Sequence, residues 1–261
     1  MTRTRLVPLQ PQRWQRFCYD NIMPLRGRGA REEEYAMPSS APGSSLLPSE
    51  VIFLARDQFA PPAGRLNYFR SSGIEIKASV PELAQLSYAA AFLAVEKAGL
   101  LSLNLRSKKA LLGLRTVDAL YADPLPGRAD PFPSDCLESR LREAAFDLSA
   151  KQQHEIPRIV HGLWSSDSSN PFGDAVGLIQ SLMAARGVLA TTSSKRLKLF
   201  TVVSHSEPPL VVAEAAAQAT EVQAMLAGCR TERPEVWKQL LDGIAKGIRK
   251  HEKDDSPDFD D

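Results

Sequence analysis

Ser79-VPELAQLSYAAAFLAVEKAGLLSLN-Leu105 decides how the chain is read. Ser79 is a good helix N-cap, and Glu82, three residues on, is placed to reach back to it as in a reciprocal capping box. Pro81 belongs in a first turn, where its missing N–H costs little. Leu83, Leu86, Ala90 and Leu93 then recur at spacings of three and four, which predicts one apolar helical face. Gly99 is a natural left-handed stop. Beyond it, Leu100 to Leu105 alternates with the period of a strand, Arg106-Ser-Lys-Lys109 reads as a polar turn, and Ala110 to Tyr121 as the returning strand.

The same order recurs downstream. Asn170-Pro171 or Asp174 opens a helix with Val176, Ile179, Leu182 and Met183 on one face, and Gly187 ends it. Val188-Leu189 starts a strand, Ser193-Ser-Lys-Arg196 reads as a turn, and Leu197 to Val203 returns. Around these two units, Ser134-Asp135 is expected to cap a helix bearing Leu137, Leu141, Ala144 and Leu148. Pro157 begins or kinks a short helix ending near Trp164. Ser206-Glu-Pro-Pro209 opens an alanine-rich helix expected to stop at Gly228. Thr231 then caps a last helix carrying Val236, Leu240, Leu241, Ile244 and Ile248. The fold class is therefore mainly α: a single helical domain with two projecting β-hairpins.

Composition sets the outer bounds. Net charge is +1 over 261 residues, so no global field draws the chain to nucleic acid or membrane. The charge is uneven: residues 1–31 carry seven arginines against Asp20, and Glu252 to Asp261 carries six acids against Lys253. With the linker-like stretch 37–49, this divides the chain into a basic arm and linker (1–49), a helical domain (50–252) and an acidic tail (253–261). Charge blocks of this kind are usually solvated ends. Cys18, Cys136 and Cys229 are odd in number and far apart, which fits neither a disulfide framework nor a zinc set and points to a reducing, cytoplasmic setting. No stretch is long and apolar enough for a membrane helix.

No catalytic signature emerges. His154 and His161 flank Pro157 without an acid or thiol to complete a metal set. Ser204-His205 places a hydroxyl beside an imidazole, but neighbours on a strand point to opposite faces. Arg26-Gly-Arg-Gly29 lacks both the preceding strand and the third glycine of a dinucleotide loop. The expectation is a non-enzymatic binding protein without cofactor or metal. Its candidate anion-binding groups are Arg106, Lys108, Lys109 and Arg115 on the first hairpin and Lys195, Arg196 and Lys198 on the second. Such cations also serve as edge protection. Leu197, Leu199 and Phe200 sit among the second set, an apolar tip suited to a membrane interface or to self-association in a homo-oligomer.

Gly187-Val-Leu-Ala-Thr191, then Lys198-Leu-Phe200, Val202 and His205, resembles the second-half hairpin of the Golgi phosphoprotein 3 family. The helix closing on Glu96-Lys-Ala-Gly99 is similar to that family's first conserved helix, and Val51 to Ala55 to its leucine-rich opening helix. The resemblance spans roughly residues 50–250. It implies a mainly helical domain with projecting hairpins and a peripheral protein binding phosphatidylinositol 4-phosphate and glycosyltransferase tails, with Leu199 and Phe200 serving membrane insertion or self-association. Where the family's lipid pocket has a tryptophan and arginines, this chain has no tryptophan near Ser79. Tyr88 lies near one expected arginine, and no cation lies from Gly177 to Met183. Arg186 alone stands in.

Two further classes compete. Helix, glycine, strand, basic turn and strand also close a winged helix, yet a recognition helix should offer several polar side chains to base edges, and here Gln85, Lys97, Gln180 and Arg186 are the few candidates. Nucleic acid is the less favoured partner. A protein–protein scaffold without small ligand is the third reading.

Overall fold

The computed structural model describes residues 45–64, 69–110, 115–150, 153–164, 168–196 and 200–250; at 109–110, 115, 195–196 and 200–201 it describes the backbone alone. The chain divides into Met1–Tyr35 and Ala36–Asp261, and every described residue belongs to the second unit. The basic arm, most of the linker and the acidic tail lie outside the described residues.

Helix α2 (Val80–Lys97) is the axis of this unit. Helices α1 (Pro48–Leu54), α3 (Leu137–Ser149), α5 (Pro171–Ala185), α6 (Pro209–Glu232) and α7 (Pro234–Arg249) all pack on it. From Ser87 to Val95 every residue of α2 is buried, whereas Leu86 is only half-buried. The single apolar face expected from its leucine spacing is thus a helix enclosed all round. Ala89, Ala90, Ala91 and Ala94 allow it, because small side chains let neighbouring helices close in from several directions. Ser79 is the N-cap, but its hydroxyl makes no capping bond, so the expected reciprocal box with Glu82 does not form. Gly99 ends the helix at φ +69°, and Arg128 Nη1 donates to the last-turn carbonyl of Ala98 at 3.1 Å.

Strands β3 (Leu101–Ala110) and β4 (Arg115–Pro124) follow as one antiparallel hairpin, with Leu101 opposite Pro124 and Ala110 opposite Arg115. The second repeat delivers β5 (Ala190–Arg196) and β6 (Phe200–Ser206), with Arg196 opposite Phe200. Asn170 caps α5 by accepting the Gly173 N–H at 3.1 Å, and Gly187 takes φ +73°. In both hairpins the segments read as turns, Arg106–Lys109 and Ser193–Arg196, are strand. Polar residues signal solvent exposure, and a ribbon wetted by water accepts them as readily as a turn does.

A third hairpin is present beyond the two expected. Strands β1 (Phe69–Ser71) and β2 (Ile74–Ile76) are joined by Ser72 at φ +43° and Gly73 at φ +96°, the positive pair of a tight primed turn. It seats against the base of β6, where the His205 N–H donates to the Ser72 carbonyl at 2.6 Å.

Three helix ends differ from expectation. Cys136, not Ser134-Asp135, caps α3, its sulfur accepting the Ser139 N–H at 3.3 Å. Helix α6 runs through Gly228 and Thr231 to Glu232, and Pro234 starts α7. A glycine costs an exposed helix about 1 kcal/mol, too little to stop one that packing holds. Short α4 (Ile156–His161), with Pro157 in its first turn, lies against Gly243 and Gly247 of α7.

Candidate functional site

Alternation along β3 puts Asn104, Arg106 and Lys108 on one face, and the register adds Tyr121 and Asp123 from β4. The segment entering α4 runs beside the outer edge of β4. Ala122 N–H donates to the His154 carbonyl at 3.1 Å, and Tyr121 bridges Glu155. Asp123 gathers three donors there: Asn104 Nδ2 at 2.7 Å, Arg106 Nη2 at 2.5 Å and, on its other oxygen, His154 Nε2 at 2.7 Å. Burial raises the Asp123 pKa, but the Asn104 and His154 hydrogen bonds and the Arg106 charge outweigh it and hold the carboxyl below its ordinary value. Arg106 also lies over the Tyr121 ring, 4.9 Å from its centroid. Lys108 forms an ion pair with Glu155, which also accepts the Tyr121 hydroxyl at 3.2 Å. Desolvation raises the Glu155 pKa, and Lys108, the Tyr121 hydroxyl and the Arg158 charge together more than reverse this.

Two of the first hairpin's four candidate cations, Arg106 and Lys108, are therefore neutralised by acids of their own chain. Sequence reasoning missed this cluster because Asp123, His154 and Glu155 come from separate segments. The period-two match of Tyr121 and Asp123 to Asn104 and Arg106 was the available signal. Lys109 and Arg115 lie opposite Thr116 and Ala110 in the ladder, and their side chains are outside the described residues.

The second hairpin is differently dressed. Thr192, Ser193 and Ser194 on β5 and Val202 and Val203 on β6 are exposed, the two valines on opposite faces of the ribbon at 36% and 48%. At its base Thr191 Oγ1 and His205 Nδ1 are 3.1 Å apart, and burial lowers the His205 pKa. Ser204 points to the other face. The ladder reaches Lys195 and Arg196 on one side and Phe200 on the other, with their side chains outside the described residues; Leu197, Lys198 and Leu199 lie outside them altogether.

The positions where the resemblance implies a lipid pocket are filled from within. Tyr88 is fully buried, its ring edge-on to Trp164 at 6.3 Å between centroids. Arg186 forms an ion pair with Glu50, the two side chains 7% and 3% exposed.

One open groove lies elsewhere, a cavity of about 640 Å³ lined by Leu46, Pro48, Val51, Ala98, Phe132 and Met225. The Lys97–Glu221 pair, 3.6 Å apart, stands among its lining residues. Among the described residues no group of three or more His, Cys, Asp or Glu could hold a metal ion, and no helix is long and apolar enough to cross a membrane. Comparison with known protein families, curated proteins and solved structures finds no match.

Proposed function

We propose that this chain is a non-enzymatic peripheral binding protein, of Golgi phosphoprotein 3-like type, that docks its second hairpin on an anionic lipid surface. One observation carries the reading. The β5–β6 ribbon leaves valines uncovered on both faces, and its sequence from Ala190 to Ser206 holds Lys195, Arg196 and Lys198 with no acid among them. The β3–β4 hairpin supports it by contrast, since its Arg106 and Lys108 already have carboxylate partners. With Tyr88 and Arg186 committed to the interior, the contact is with a charged surface and not with a headgroup held in the family's pocket.

Cations near an anionic leaflet contribute about 1 kcal/mol each. Replacing Lys195, Arg196 and Lys198 by alanine should therefore weaken flotation with phosphatidylserine or phosphatidylinositol 4-phosphate vesicles by about 100-fold, and added salt should do the same. The Arg106→Ala/Lys108→Ala pair should leave flotation close to wild type. Vesicle binding unchanged by the triple substitution would reject the reading. Loss of oligomer mass rather than of vesicle binding in Leu199→Asp/Phe200→Asp would reassign the tip to self-association.

A further inference from the structure

Glu138, in the first turn of α3, is wholly buried. Its Oε1 accepts the backbone N–H of Ser49, in the first turn of α1, at 3.1 Å, and its Oε2 has no hydrogen-bond partner. Glu50 lies close by, accepting the Leu47 N–H at 3.0 Å and pairing with Arg186. Two carboxyls thus share a buried site with one guanidinium. When both ionise, one negative charge has no counter-ion, and Glu138 is the carboxyl left without it. Burial pushes Glu138 up to about 7, and the Glu50 charge adds to this against hydrogen bonds from its own backbone and from the backbone and side chain of Ser49.

On α3 itself Arg142 pairs with Asp130 at 3.2 Å. Cys136, on the same turn as Glu138, has its thiol pushed up to about 12, mainly by burial. Helix α2 brings Tyr88, buried and kept protonated, while its Glu96 pairs with Arg233. Strand β4 turns Asp123 toward Arg106 and His154. Helix α4 brings Arg158, which is exposed, and His161, half-buried at its C-terminal end.

The Ser49–Glu138 bond also has a mechanical place. Leu46, Pro48 and Val51 form one wall of the 640 Å³ cavity, and Pro131 and Phe132, on the approach to α3, form another. We propose that Glu138 is a proton-operated latch: with its proton it holds the first turn of α1 against α3, and without it the uncompensated buried charge releases that turn and loosens the cavity wall.

The sign follows from linkage. A carboxyl raised in the closed state favours closure below its ordinary pKa of 4.5, and that preference is lost as pH rises through about 7. Between pH 5.5 and 8.5 the closed-to-open ratio should fall roughly thirty-fold. Hydrogen exchange at the Ser49 amide, corrected for its intrinsic rate, reads this ratio directly. The wild type should lose protection across that range, and Glu138→Gln, which cannot ionise, should not. Identical pH profiles in the two proteins would overturn the latch. Should the variant fail to fold, a carbon-13 titration of the wild-type Glu138 carboxyl decides the matter: a midpoint near 7 supports the latch and one below 5 overturns it.

Discussion

Arg186→Met tests whether the arginine nearest the expected lipid pocket is a structural counter-ion. Methionine keeps most of the stem volume, so the packing loss should be small. The electrostatic loss should not be. Glu50 is 2% exposed, and removing one partner of a buried ion pair costs about 3–5 kcal/mol because the other charge is stranded. In a domain of this size that lowers Tm by roughly 10 °C. Burial already raises the Glu50 pKa, against its hydrogen bond from Leu47 and the Arg186 charge. Without Arg186 it rises further, so the fold keeps its stability where Glu50 is protonated and loses it as pH climbs. Urea denaturation at pH 5.5 and pH 8 should therefore show a larger deficit at pH 8. Glu50→Gln added to Arg186→Met should recover most of it, because glutamine still accepts the Leu47 N–H while carrying no charge. A single-variant cost below about 1 kcal/mol at pH 8, or no recovery in the double variant, refutes the reasoning.

Three glycine substitutions probe the packing and the helix ends. A Cβ at Gly247 would lie 2.7 Å from the Pro157 carbonyl oxygen and 2.8 Å from Val160 Cβ, so Gly247→Ala should lose about 1–2 kcal/mol despite alanine's better helix propensity. Gly228→Ala in α6 meets nothing within 4 Å and should gain about 0.5–1 kcal/mol; thermal melts of the pair check both signs. Gly99→Ala should cost at least about 1 kcal/mol, since φ there is +69° and the new methyl would displace Arg128 from the end of α2. Loss of protection at the Leu100 and Leu101 amides by hydrogen exchange would localise that effect.

What the sequence disclosed was whatever is local in its physics. Gly99 and Gly187 mark helix ends because the left-handed conformation is a property of one residue. The apolar face of α7, with Val236, Leu240, Ile244 and Ile248, can be read because one stripe is buried and the rest is wet. Helix α2 misled on this point, since its alanines give no periodic contrast and only tertiary packing encloses them. The short β1–β2 hairpin escaped because three-residue strands carry almost no alternation, although Ser72-Gly73 was a visible turn signal. Hairpin lengths were misjudged because lysine and serine mark water and not direction. The polar cluster on the first hairpin was only partly within reach: the partners Lys108 and Glu155 are 47 residues apart in sequence, and nothing local says that residues 154–155 will return beside β4.

The two helix-and-hairpin units therefore have different fates despite their similar pattern. In the first, Asp123 and Glu155 take up Arg106 and Lys108. The sequence of the second holds no acid from Ala190 to Ser206, and its Val202 and Val203 are exposed. A cation already hydrogen-bonded to carboxylate must lose that partner before it can serve a lipid phosphate, which removes most of the gain. For that reason a functional anion surface is argued from the second hairpin and not from the first, although the first has the larger number of positive residues.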